Sequence, residues 1–211
     1  MYARKNVSGN PIVAYHGYPI AEDTAIERGQ VVKLSGGLIV PVSESDTDAP
    51  AGVAAESHTG AEDALNERSN GKDIYVYDAK DTLFACPAPT VTAASGTETT
   101  LTATEGSLAA FGADDLTGGC VQLIAKAEDS ANTDAIGQTR KIAGFGNGTL
   151  TLERGGAAAE GDVYRLFPPI GFAKGNYDAT RTKLTLSATA ALGMAVAGHE
   201  IAAGNILLKR K

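Results

Sequence analysis

Hydrophobic and polar residues alternate along several short stretches of the chain, which is the pattern of half-buried β-strands. In KDIYVYD at 72–78, Ile74 and Val76 fall on one face, whereas Tyr75 and Tyr77 fall on the other. Similar short runs recur along the chain, separated by glycine-rich and proline-rich segments: GQVVKL, LIVPV, AGVAA, VQLIAKA, RKIAGFGNGTLTLE, GDVYRLFPP, KLTLS and NILLK. The pattern predicts an all-β protein.

Glycine-containing turns connect several of these predicted strands. Gly36-Gly37 lies between two apolar runs and predicts a hairpin, and Asn147-Gly148 predicts a second tight turn. A short helix is expected only at Ala109–Leu116. We therefore expect helix to make up less than roughly 15% of the chain.

Changes in composition divide the chain. After Pro87 and Pro89 the sequence becomes rich in Thr, Ser, Gly and Ala, and Pro168-Pro169 closes the last strand pattern of this region. We expect a small β-barrel or β-tulip-like core domain, an inserted second β domain and an extended N-terminal arm. The predicted division is 1–20 for the arm, 21–92 for the first part of the core domain, 93–170 for the insertion and 171–211 for the return to the core domain.

The N-terminal arm has features of a contact segment. Pro11 and Pro19 exclude a continuous helix, yet the segment is too apolar for a free tail. We expect it to lie on a neighbouring subunit or another protein, with its two basic residues facing acidic groups. The candidate contact residues are Tyr2, Arg4, Lys5, Ile12, Val13, Tyr15 and Tyr18.

Composition and charge narrow the possible functions. Apolar residues make up 43% of the chain, but aromatic residues only 6%, so the cores are expected to be thin and oligomerisation would supply missing buried area. The net charge of −7 argues against a nucleic-acid partner, because binding phosphates requires a concentrated positive surface. The longest run of small apolar residues, 188–198, is too short to span a bilayer, and the N-terminus lacks the pattern of a secretory signal. We expect a soluble protein that is made in the cytoplasm and has no membrane partner.

The residues that could carry chemistry are scattered. His16, His58 and His199 have no metal-binding spacing and are expected at surfaces or interfaces, and no serine lies in a GxSxG motif. Cys86 and Cys120 match no CxxC pattern, which leaves two alternatives, a pair of buried thiols or a disulfide. We therefore expect no catalytic residue, metal ligand or cofactor, and a non-enzymatic protein.

Two segments carry a family resemblance. IERGQVVKLSGGLIVPVSESDTDAPAGVAAESHTG, together with GKDIYVYD, resembles the head decoration proteins of tailed bacteriophages, also called capsid cement or stabilising proteins. The marks are Gly29, Gly36-Gly37, Gly52-Val53-Ala54 and the strand from Ile74 to Tyr77. The middle segment, with Gly137, Arg140, Ile142, TLTL and Gly161-Asp162, is similar to a β domain that recurs in phage virion proteins.

The resemblance implies a structural virion protein. Such a protein binds the major capsid protein on the outer surface of the capsid, assembles as a homotrimer and stabilises the shell against the pressure of packaged DNA. It would be synthesised in the host cytoplasm, and its inserted domain could bind a surface or glycan ligand. The alternative is another β-rich virion component, such as a head fibre base, a tail component or a receptor-binding or glycan-binding module.

Overall fold

The computed structural model describes residues 1–6, 8, 15–20, 24–43, 46, 49–58, 73–104, 108, 111–112, 115–174, 176–177, 184–185 and 193–211. Within these residues the one helical element is a 3-10 turn at Ile201–Ala203. The prediction of an all-β protein is therefore confirmed. The strands are β1 (Tyr2–Asn6), β2 (His16–Pro19), β3 (Val31–Ser35), β4 (Leu38–Pro41), β5 (Gly52–Ala54), β6 (Asp73–Tyr77), β7 (Thr82–Pro87), β8 (Thr90–Gly96), β9 (Thr100–Ala103), β10 (Cys120–Ala125), β11 (Thr139–Gly146), β12 (Thr149–Leu152), β13 (Val163–Phe167), β14 (Asn176–Tyr177), β15 (Leu184–Thr185), β16 (Met194–Glu200) and β17 (Asn205–Arg210).

A five-stranded sheet has the order β2-β6-β5-β3-β4. A parallel bridge between Ile20 and Ile39 connects its two outer sides, so the sheet curls back on itself. Ile74 and Val76 are fully buried in its core, as the alternation in the sequence predicts. The hairpin between β3 and β4 turns at Gly36-Gly37, where both residues have positive φ.

The middle of the chain forms a closed barrel with the strand order β10-β11-β12-β9-β8-β13. Alternate residues of its strands point inward, including the fully buried Leu101, Leu150 and Leu166. Asn147 and Gly148, with φ of 49° and 74°, form the tight turn between β11 and β12. The barrel strands run from Thr90 to Phe167, so the barrel begins three residues before the predicted insertion, 93–170, and otherwise falls within it.

A four-stranded sheet, β1-β7-β17-β16, connects the beginning and the end of the chain. The chain leaves this sheet after β7, and Gly171 and Phe172, which follow the middle segment, form backbone hydrogen bonds with Val196 of β16, so both ends of the segment lie at this sheet. One apolar cluster runs from Phe84 and Ile206 in this sheet to Val91 and Phe167 in the barrel. The Ala88 N–H also donates to the Gly204 carbonyl at 2.9 Å. That the middle segment folds independently stays a prediction.

The N-terminal segment pairs with strands of its own chain. β1 pairs with β7 and β2 pairs with β6, so both are added to edges of the two sheets. The arm was expected to be ordered mainly by contacts with a neighbour. Within the chain, however, one edge of each strand already forms backbone hydrogen bonds with β7 or β6. Ile12 and Val13 lie outside the described residues.

Two local predictions differ from the structure. The described residues of Ala109–Leu116 are not helical, and the Asp115 carboxylate instead accepts the Gly112 N–H at 2.8 Å. An Asp side chain that bonds to a nearby backbone group in this way competes with a helix. KLTLS was expected to complete the core domain, but Leu184–Thr185 pairs with Asn176–Tyr177 in a separate two-stranded sheet.

Candidate functional site

Strand β1 is an outer strand of the four-stranded sheet. One side pairs with β7, with a register shift between Ala3 and Lys5, and no described strand pairs with the other side. Tyr2 is 48% exposed, and its hydroxyl accepts a hydrogen bond from Asn205 Nδ2 at 3.1 Å. An exposed edge of this kind can pair with a strand of another chain.

The basic residues of β1 differ in their surroundings. Arg4 Nε lies 3.1 Å from Glu200 Oε1, so the acidic partner expected for Arg4 on another protein is already present within the chain. Lys5 is half-buried and lies opposite Leu83 of β7. Both side chains remain accessible enough to meet a docking surface.

Tyr15 belongs to a cluster of three tyrosines beside β2. Its ring packs edge-to-face on Tyr75, with ring centroids 5.1 Å apart, and on Tyr77 at 6.0 Å. Tyr15 remains 44% exposed. Gly17 lies opposite Tyr75 in the neighbouring strand, and a Cβ there would be 3.5 Å from the Tyr75 ring. An alanine side chain at this position would therefore only touch the ring at ordinary van der Waals distance.

The three rings line an open cavity of about 420 Å³, which we call the tyrosine groove: Tyr15, Arg28, Ala55, Glu56, Ser57, Tyr75 and Tyr77. A second cavity, of about 370 Å³, shares Arg28 and Tyr77 with it and extends to Met1 and Ala3. The tyrosine groove therefore lies next to β1. The sequence predicts the strand that carries Tyr75 and Tyr77, but not the approach of Arg28 from a distant loop.

The polar residues of the tyrosine groove are held by local hydrogen bonds. The Arg28 N–H donates to Ser57 Oγ at 3.0 Å, and the Tyr75 N–H donates to Glu56 Oε1 at 3.0 Å. The Arg28 side chain is exposed, and within the described part of the chain its guanidinium group makes no hydrogen bond or ion pair. The groove is therefore lined by one guanidinium group, that of Arg28, and one carboxylate, that of Glu56.

Asp78 anchors the start of β2 to the end of β6. Its carboxylate lies 2.7 Å from His16 Nδ1 and accepts the Tyr18 hydroxyl at 2.5 Å, while Arg210 donates to its backbone carbonyl. Burial alone would raise the pKa of Asp78, but the hydrogen bonds from Tyr18 and His16 outweigh it and lower this pKa. The same hydrogen bond raises the pKa of Tyr18. The hydroxyl group of Tyr18, one of the candidate contact residues, thus already has a hydrogen-bond partner within the chain.

The middle segment contains a cluster of buried charged residues, and their burial was not predicted from the sequence. Arg140 is 3% exposed and donates to the carbonyl groups of Glu98, Glu153 and Gly156. Asp134 is 4% exposed and lies 3.6 Å from Arg140, and one of its oxygens accepts the Gly156 N–H at 2.6 Å. Arg140, noted in the sequence as one mark of a virion β domain, therefore connects the loops at one end of the barrel.

A second buried set involves Asp162, another of those marks. Its carboxylate accepts hydrogen bonds from Asn132 Nδ2 at 2.8 Å and from the Ala127 N–H at 3.1 Å. Burial would raise the pKa of Asp162, but the hydrogen bonds, chiefly from Asn132, lower it. Asn132 also donates to the Tyr164 hydroxyl at 2.8 Å, and burial raises the pKa of Tyr164 to about 12. These contacts position loops and present no open site.

The histidines and cysteines lie apart from one another in the structure. His58 is 2% exposed, which differs from the surface or interface position expected for it, and His199 Nε2 lies 2.7 Å from the Pro168 carbonyl oxygen. Cys86 and Cys120 are both buried and are not joined by a disulfide. Across the described ranges, no three His, Cys, Asp or Glu side chains are placed to hold a metal ion. No helix in those ranges has the length and apolar character needed to cross a membrane.

Comparison of the chain with models of known protein families, with curated proteins and with solved structures found no match.

Proposed function

We propose that this protein is a structural virion protein that binds the outside of a phage capsid and stabilises it as a homotrimer. The observation that carries the proposal is the open edge of β1, where an exposed tyrosine and two basic residues lie on a chain with a net charge of −7. The major capsid protein is the proposed partner. The resemblance in the sequence implies capsid binding, and we assign the attachment surface to β1.

The chemistry of β1 suits attachment to another protein. An unpaired strand edge offers backbone N–H and C=O groups for strand addition, while tyrosine supplies large contact area at a low entropic cost. The Arg4–Glu200 pair is exposed on the arginine side, and such pairs contribute only about 0–1 kcal/mol. Arg4 can therefore exchange Glu200 for an acidic group of the capsid protein at little cost.

Trimer formation is supported by the composition and by the distribution of apolar residues. The aromatic content is only 6%, and several large apolar side chains are exposed, among them Leu34, Ile136 and Ile170. Contacts with neighbouring copies would bury such residues at about 25 cal/mol per Å² of apolar surface. Three weak capsid contacts on one trimer would then add as avidity.

The test is a co-sedimentation assay with expanded, undecorated heads of the phage that encodes the chain. Deleting residues 1–20 would also remove two paired strands, so point substitutions are more informative. Lys5→Glu and Tyr2→Ala are each expected to weaken head binding by at least about tenfold, with the melting temperature nearly unchanged.

The matched control is Lys141→Glu, which makes the same charge change at an exposed position of the barrel strand β11. It is expected to bind heads as the unmodified protein does. If Lys5→Glu and Tyr2→Ala decorate heads with unchanged occupancy, or if Lys141→Glu is as defective as Lys5→Glu, β1 is not the attachment surface.

A further inference from the structure

We propose that the tyrosine groove binds a saccharide that carries a carboxylate group. The sugar ring lies against Tyr15 and Tyr75, and its carboxylate pairs with the Arg28 guanidinium group. The groove lies next to the attachment surface on β1, but the proposal does not depend on capsid binding.

The size and lining of the groove fit a small polar ligand with an apolar face. Its volume of about 420 Å³ falls within the range of about 300–1,000 Å³ that is typical of small-molecule sites. Tyr15 packs edge-to-face against Tyr75 and Tyr77, so the three rings form one aromatic surface. The negative face of an aromatic ring attracts the C–H groups on one face of a sugar ring.

The groove contains one cation, Arg28, and one carboxylate, Glu56, and an acidic sugar would place its carboxylate at Arg28 and its hydroxyl groups at Glu56. The Arg28 guanidinium has no side-chain partner in the described part of the chain, and a guanidinium group matches a carboxylate in a bidentate arrangement. Glu56 already accepts the Tyr75 N–H, and its carboxylate, with the Ser57 hydroxyl, can hydrogen-bond sugar hydroxyls. One cation and several hydroxyl-binding groups therefore surround one aromatic platform.

An extended peptide fits the groove less well. The strand that carries Tyr75 and Tyr77, β6, pairs with β2 on one side and β5 on the other, and β5 pairs in turn with β3. The floor of the groove therefore offers no open strand edge, and strand addition is the usual way in which a sheet binds an extended peptide. The groove can still bind a ligand by stacking on its rings and by pairing with the Arg28 charge, and an acidic sugar can make both interactions.

The experiment is a titration of the intact protein, labelled in its tyrosine rings, followed by NMR. The probes are glucuronate and N-acetylneuraminate, with glucose as the neutral counterpart and a short glutamate-rich peptide as the protein-like counterpart. The acidic sugars are expected to shift the ring signals of Tyr15, Tyr75 and Tyr77, and to leave that of Tyr164, which is buried in the barrel, unchanged. Glucose is expected to bind at least about tenfold more weakly.

Substitutions then assign the contacts. Arg28→Gln is expected to weaken binding of the acidic sugar at least about tenfold and to leave glucose binding unchanged, and Tyr15→Ala to weaken both sugars. Arg154→Gln, at an exposed arginine of the middle segment that is 79% accessible, is the control and is expected to have no effect. The proposal is overturned if neither acidic sugar shifts the three signals at tens of millimolar, if Arg28→Gln binds glucuronate normally, or if only the peptide binds.

Discussion

Replacing Arg140 with methionine tests the physical account of the barrel. The arginine is 3% exposed, and it donates to the carbonyl of Glu153 at 2.8 Å and to that of Gly156 at 2.9 Å. It is also the cation nearest to the buried Asp134 in this cluster, at 3.6 Å. Methionine keeps much of the apolar volume but removes the charge and all the donors. The variant therefore leaves buried acceptors without their donor and a buried carboxylate without its counter-ion.

The expected loss follows from these contacts. Removing one partner of a buried ion pair costs about 3–5 kcal/mol, and each orphaned buried acceptor costs about 1–3 kcal/mol. Because these groups belong to one network, the costs do not add fully, and we expect a total of about 3–5 kcal/mol. For a chain of this length the melting temperature would fall by roughly 6–20 °C.

Urea unfolding followed by circular dichroism measures this loss. Arg154→Met is the matched control, because Arg154 is 79% exposed, and its pair with Glu98 should contribute no more than about 1 kcal/mol. Adding Asp134→Asn to Arg140→Met should restore part of the stability, since the amide oxygen can still accept the Gly156 N–H without carrying a charge. If Arg140→Met costs no more than Arg154→Met, the buried cluster does not stabilise the barrel.

Two further predictions concern single side chains. The pKa of Tyr164 is raised to about 12 by burial, so the neutral phenol stabilises the fold fully below its unfolded value of about 10, and this contribution is lost as the pH rises towards 12. As the pH rises from about 10 to about 12, the stability of Tyr164→Phe should therefore fall less than that of the unmodified protein. Ionisation of Tyr164 near pH 10 in an ultraviolet titration of the folded protein would contradict this. Gly52→Ala should destabilise the protein by about 1–3 kcal/mol, because the new Cβ would lie 2.2 Å from the Tyr77 carbonyl oxygen. Gly17→Ala, whose Cβ would be 3.5 Å from the Tyr75 ring, should cost less than about 0.5 kcal/mol, and equal losses in thermal unfolding would refute the argument.

The local features of the fold were predictable from the sequence because they depend on neighbouring residues. Ile74 and Val76 alternate with Tyr75 and Tyr77, and the structure buries the first pair and leaves the second pair partly exposed. The turn at Asn147-Gly148 likewise follows from residues that tolerate positive φ.

The pairing of distant segments was not predictable in the same way. β1 is short and polar, and its pairing with β7 depends on distant residues: Tyr2 pairs with Ala85, and Asn6 pairs with Thr82. The burial of Arg140 has no signal in the sequence, because a charged residue is normally exposed and only the surrounding carbonyl groups make its burial possible. The tyrosine groove likewise depends on a loop that brings Arg28 beside Tyr75.

The most direct test of the proposed function is cryo-electron microscopy of expanded heads mixed with the purified protein. The proposal predicts extra density on the outer surface at symmetry-related positions, with three copies at each position and Tyr2 and Lys5 of β1 facing the major capsid protein. Heads that remain bare under saturating protein would contradict capsid attachment, and bound copies with β1 facing away from the shell would contradict the assigned surface.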